Sequence, residues 1–215
     1  MITSTPDSSY ESGYNNSIST FSNCSSLESC TLPETLTTIG SETFKNCTLC
    51  VFTNLPQTIT RIGVMAFYKT RMSLEINLPN LTRIEHGAFV NTKITTVSNL
   101  GSITSLPVSS YNSNYIPYYY LGTFTNCELL TTVYLPETLT EINSYTFAGC
   151  TALSTVILMS ESVPALYNVN AFKDTPIAAR AGNIYVPDAC VDAYKEATNW
   201  SQYADVIKPL NEYTE

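Results

Sequence analysis

The sequence predicts a β-rich solenoid, a right-handed superhelix or horseshoe of about seven stacked 22–25-residue coils with a short C-terminal α-helical cap. Three observations predict it. Phenylalanine recurs at Phe21, Phe44, Phe67, Phe89, Phe124, Phe147 and Phe172, in steps of 23, 23, 22, 35, 23 and 25 residues. Each is followed by two apolar clusters in the same order, as in FSNCSSLESCTLPETL and FTNCELLTTVYLPETL. Of the 215 residues, 44% are hydrophobic and the mean hydropathy is near zero, enough for a continuous core.

Within a unit the first cluster is a short strand. Leu130, Val133 and Leu135 in ELLTTVYLP have the spacing that turns alternate side chains inward. Pro136 ends it, having no N–H to give to a ladder. Leu139 and Ile142 then form a second inward edge before Phe147. One unit cannot bury these residues alone; stacked at about 4.8 Å per coil, seven make a rod roughly 35 Å long. Gly40, Gly63 and Asn143 share one turn position, read as left-handed backbone, and Glu85 departs from it. Cys24, Cys47, Cys127 and Cys150 share the position three after the phenylalanine with Thr70, Thr92 and Thr175. Exchange with threonine points to a small buried residue in a stacking column, and a Cys24–Cys47 or Cys127–Cys150 disulfide between adjacent coils is the alternative. The C-x-x-C of Cys47 and Cys50 falls in the same frame and lacks the helix N-terminus that a redox pair uses.

The repeats LPETLTTIGSETFKNC, LPQTITRIGVMAFYKT and LPETLTEINSYTFAGC resemble the BspA-like (treponemal-type) leucine-rich repeats, over about residues 20–210. That unit runs L-x-x-V-x-L-P-x-x-L-x-x-I-G-x-x-A-F-x-x-C. The resemblance implies a leucine-rich-repeat solenoid, an extracellular or cell-surface location, and attachment to host matrix proteins or to other bacteria. Similar segments with VP and a following D-A-Y-K close related gut-bacterial proteins.

The expected organisation is a disordered segment over 1–13, the solenoid over 14–187 with a tyrosine-rich insertion at about 106–120, and the cap over 188–215. In the cap, Asp188 is the expected helix N-cap, Val191, Tyr194 and Ala197 recur at helical spacing, and Trp200 belongs to the cap's core. A solenoid needs both ends closed, so the uncovered beginning reads as a fragment or processed form whose upstream cap and signal peptide are missing.

A net charge of −8 with ten scattered Lys and Arg argues against nucleic acid and anionic membranes as partners. No apolar run reaches the roughly 20 residues that span a bilayer. The single histidine, His86, with dispersed carboxylates assembles neither a zinc set nor a Ser-His-Asp triad, and no glycine-rich phosphate loop occurs. The chain is expected to be non-enzymatic, without cofactor, metal or catalytic residues.

The binding surface is expected on the outward columns of the strands. One column reads Thr31, Asn54, Asn77, Ser98, Tyr134, Ile157, Tyr185, and the other Ser29, Phe52, Glu75, Thr96, Thr132, Thr155, Asn183. The candidates are therefore Phe52, Tyr134, Ile157 and Tyr185, joined by Tyr111, Tyr115, Tyr118, Tyr119 and Tyr120 if the insertion folds over that face. The competing readings are that the cap helix or a neighbouring domain covers these rings, and that the insertion folds back and packs its own rings against the solenoid. A protein partner is expected; a glycan partner and a spacer that presents another domain are the alternatives.

Overall fold

The computed structural model describes residues 20–108 and 121–214. Strands come in pairs, one pair per coil. The first three coils supply β1 (Ser29–Cys30), β2 (Thr38–Ile39), β3 (Val51–Phe52), β4 (Arg61–Ile62), β5 (Glu75–Asn77) and β6 (Arg83–Ile84). The next three supply β7 (Thr96–Asn99), β8 (Ser105–Leu106), β9 (Thr132–Leu135), β10 (Glu141–Ile142), β11 (Thr155–Leu158) and β12 (Ala165–Leu166). β13 (Asn183–Val186), a six-residue helix α1 (Val191–Glu196) and β14 (Ile207–Pro209) close the chain.

All ladder pairs between strands are parallel. Odd-numbered strands, joined at the end by β14, make one wall, a β1–β3 pair and a six-stranded sheet ordered β5–β7–β9–β11–β13–β14. Even-numbered strands make a second wall, β2–β4–β6 and β8–β10–β12. The third side is the phenylalanine turn. This is the predicted leucine-rich-repeat solenoid, with one short α-helix near the C-terminus.

Every wall contributes to a single interior. Ile76, Val97, Val133, Val156 and Ile184 from the first sheet meet Ile39, Ile62, Ile84, Leu106 and Ile142 from the second, all buried. The phenylalanines form one column of near-parallel rings from Phe21 to Phe172, with successive centroids 5.3 to 5.6 Å apart. Between Phe89 and Phe124, 35 residues apart, the stack is unbroken at 5.6 Å and 2°. Val108 pairs antiparallel with Gly122 beside the end of β8, forming a neck.

Hydrogen bonds join the coils in both directions. Around the column phenylalanines from Phe21 to Phe147 the N–H groups donate forward, as Phe44 does to Ala66 and Asn46 to Tyr68, both at 2.8 Å. Beside the strands they donate backward, as Thr60 does to Thr37 and Gly63 to Ile39, also at 2.8 Å. Aiming the turn's N–H groups along the axis requires left-handed backbone two residues either side of the phenylalanine: Glu42 and Asn46 (φ 55° and 61°) around Phe44, Tyr145 and Gly149 (φ 59° and 73°) around Phe147. The repeat pattern predicts that conformation at Gly40, Gly63 and Asn143, but none of them has positive φ. Gly63 is needed for close approach instead, because a Cβ there would lie 2.5 Å from the Ser41 nitrogen.

The last coil has no successor to satisfy its carbonyls, and the cap's ring and amide groups do so. Trp200 Nε1 donates to Pro164, Tyr194 Oη to Ser160 and Tyr203 Oη to Val169, each at 2.8 Å. Trp200 and Tyr203 also turn across the final phenylalanine, Tyr203 edge-on to Phe172 at 5.5 Å and 80°, which ends the stack. Trp200 and Tyr194 are wholly buried. Asp188 does not cap α1, whose N-cap is Cys190 without a side-chain bond; its Oδ1 accepts from the Asn211 N–H at 3.1 Å.

Candidate functional site

The candidate surface is the outer face of the six-stranded sheet. Parity sends Val133, Val156 and Ile184 inward and leaves their neighbours facing out. One outward row runs Thr96, Thr132, Thr155, Asn183, in register strand by strand. The adjacent row runs Tyr134, Ile157, Tyr185, Lys208. The first is polar, as a water-facing row of a sheet ordinarily is. The second puts an aliphatic side chain between two phenols.

That second row is covered. Ile157 faces outward yet is 1% exposed. After β14 the chain makes a short 3₁₀ turn, Leu210–Glu212, and returns Tyr213 over the sheet. The Tyr213 ring stands edge-on to Tyr134, with centroids 6.2 Å apart at 80°, and tilts against Tyr185 at 5.0 Å. The Tyr134 and Tyr213 hydroxyls share a hydrogen bond of 3.0 Å. Tyr134 and Tyr185 are half-buried beneath it. The tail after β14, and not the cap helix or a neighbouring domain, lies over these rings, and Ile157 itself is not open to solvent.

Phe52 leaves the candidate set. The sequence frame put it in the outward column, but Cys30 pairs with Phe52 and Ser29 with Val51. The strand is one residue out of the frame, which exchanges the two faces. Phe52 is 2% exposed and stands perpendicular between Phe44 and Phe67, at 5.0 and 5.3 Å. Val51 takes the outward place. The reason is size: burying phenyl rather than threonine at that place gains about 2 kcal/mol of transfer free energy. A second irregularity, the bulge between Ile76 and Asn77, pairs Asn77 with Asn99 rather than Ser98.

Tyr111, Tyr115, Tyr118, Tyr119 and Tyr120 lie outside the described residues. The stem that carries them, Val108 and Gly122, leaves beside β8 of the second sheet, whereas Tyr134, Ile157 and Tyr185 belong to the first.

Two residues that shape the site escaped the sequence reading. Tyr213 carries no repeat landmark of its own. A signal did exist: from Ile184 and Tyr185 one more step of 23 reaches Ile207 and Lys208, their partners in the ladder. Continuing the frame would have placed β14, and with it a tail beginning beside the phenols. Asp188, taken for a cap, pins that tail.

The chain's likeness to known proteins follows the fold. A BspA type leucine rich repeat region, in six copies, matches residues 15–117 and 118–188. A leucine-rich repeat protein from Bacteroides ovatus is similar in structure, with a TM-score of 0.52 and 23% identity over 79% of this chain and 45% of that one. A leucine rich cell surface protein from Faecalibacterium prausnitzii is 15% identical over 88% of this chain and 60% of that one, with a TM-score of 0.36. The chain thus spans less than half the length of the Bacteroides protein. No curated protein matches it. Among the described residues no helix is long and apolar enough to cross a membrane.

Proposed function

We propose a function from one premise: the chain belongs to the BspA-type leucine-rich-repeat family, whose fold is generally a non-enzymatic binding scaffold. It acts as a protein-interaction module, displayed on the cell surface or secreted, that adheres to proteins of a host matrix or of another bacterium's surface. The observation that carries this is the outer face of the six-stranded sheet. Its Thr96–Thr132–Thr155–Asn183 row is held in register over a filled core, so the face is presented without ordering cost on binding. The family and its location supply the class of partner.

The experiment immobilises the purified chain and measures binding of matrix proteins and of intact bacterial cells. In parallel, Thr132→Arg and Thr155→Arg are introduced together in the middle of the row. We expect saturable binding to a matrix or bacterial surface protein, weakened about ten-fold or more by the two arginines while the far-ultraviolet spectrum is unchanged. A chain that binds none of them, or that binds glycans alone on an array, overturns the reading.

A further inference from the structure

We propose that Tyr134, Ile157 and Tyr185 form a seat that reads a tyrosine side chain of a protein partner, and that the chain's own Tyr213 occupies it in the free molecule. This deepens the protein-binding reading above and rests on it.

The chemistry of the seat is specific. Ile157 is its floor, and the two phenols two strands apart are its walls. Tyr213 shows what fits: a ring edge-on to one wall and tilted on the other, its hydroxyl bonded to Tyr134 at 3.0 Å. Phenylalanine loses the hydroxyl bond, and an aliphatic side chain loses the ring contacts as well.

The occupant is built differently from the rest of the cap. Tyr194, Trp200 and Tyr203 are buried and each bonds a carbonyl of the last coil. Past Pro209, where the ladder stops, Asn211 and Glu212 are exposed. The Tyr213 N–H bonds within the tail, to Leu210 at 3.0 Å, and the tie to the body is the Asn211 N–H on the Asp188 carboxylate. Among the described residues one ring, with its hydroxyl bond to Tyr134, and the Asn211–Asp188 hydrogen bond hold the tail over the outer face. Tethering gives Tyr213 an effective concentration on the order of millimolar, which an incoming tyrosine must beat, and which lowers its apparent affinity while the tail is seated.

The test uses the whole 215-residue chain and a labelled peptide of the tail, LNEYTE, with phenylalanine and alanine versions. We expect saturable binding of the tyrosine peptide to the Tyr213→Ala chain, about ten-fold weaker on the wild type. The phenylalanine peptide should bind more weakly and the alanine peptide not at all. Adding Tyr134→Ala to Tyr213→Ala should remove binding, and Tyr213→Ala alone should lower the thermal midpoint by no more than about 4 °C. Absent binding to Tyr213→Ala, equal binding of the alanine peptide, or a collapse in stability marking Tyr213 as a structural cap would each overturn the proposal. So would a tail-dependent dimer of the wild type in sedimentation, which makes a second copy the occupant. Peptide binding fails independently of the arginine test on the threonine row, so the two readings can fall separately.

Discussion

Three residues after the phenylalanine, Cys47, Cys127 and Cys150 point their thiols at the phenylalanine carbonyl of the preceding coil, at 2.9 to 3.1 Å. Thr70, Thr92 and Thr175 bond the carbonyl of their own coil. Either residue satisfies a buried acceptor in the column, which is why the two exchange. The cysteines here are free thiols, and burial raises Cys47 to about 11 and Cys50 to about 12. Unfolded thiols release their protons near the ordinary 9.0, so the folded chain holds them longer. The stability linked to them is whole below about pH 9 and is lost as pH rises towards 11–12. Urea midpoints should therefore fall between pH 9 and 11, and Cys47→Thr with Cys50→Ala should flatten the fall. An unchanged slope in the double variant assigns it to other groups. The Cys/Thr exchange alone made this column legible in the sequence; which carbonyl each side chain bonds was not.

At the level of the element, the ring column sets what each coil contributes. Phe124 is wholly buried with stacked rings on both sides, whereas Phe21 is 36% exposed and, among the described residues, has a stacked ring on one side. Phe124→Ala should destabilise the chain by about 3–5 kcal/mol and Phe21→Ala by about 1 kcal/mol in urea titrations. Comparable losses would mean that the stack does not govern stability. The column was legible because one large residue recurs at a nearly fixed step. The face of β3 was not: the linear frame sends Phe52 outward and Thr53 to the interior, and it carries no information on a one-residue slip. Ring volume decides, which only the packed structure reveals. β14 was missed for a related reason, since the tail has no phenylalanine to mark it and its 23-residue step from β13 stands alone.

For the molecule as a whole, the solenoid followed from the sequence because each coil touches its neighbours alone, so one repeat predicts the next. The outer face followed only in part. Its polar row depends on strand parity, which the repeat encodes; the covering of its aromatic row depends on a chain end that returns across three strands. The neck at Val108 and Gly122 has a wider consequence. Its two sides are already paired, and the rings of Phe89 and Phe124 meet as if nothing intervened. Replacing residues 109–120 with a four-residue turn should shift the unfolding free energy by no more than about 1 kcal/mol, and a shift of several would show that the framework leans on the segment. This seam is accordingly a port: a foreign epitope could be spliced in, or one natural sequence traded for another, with the scaffold on either side undisturbed.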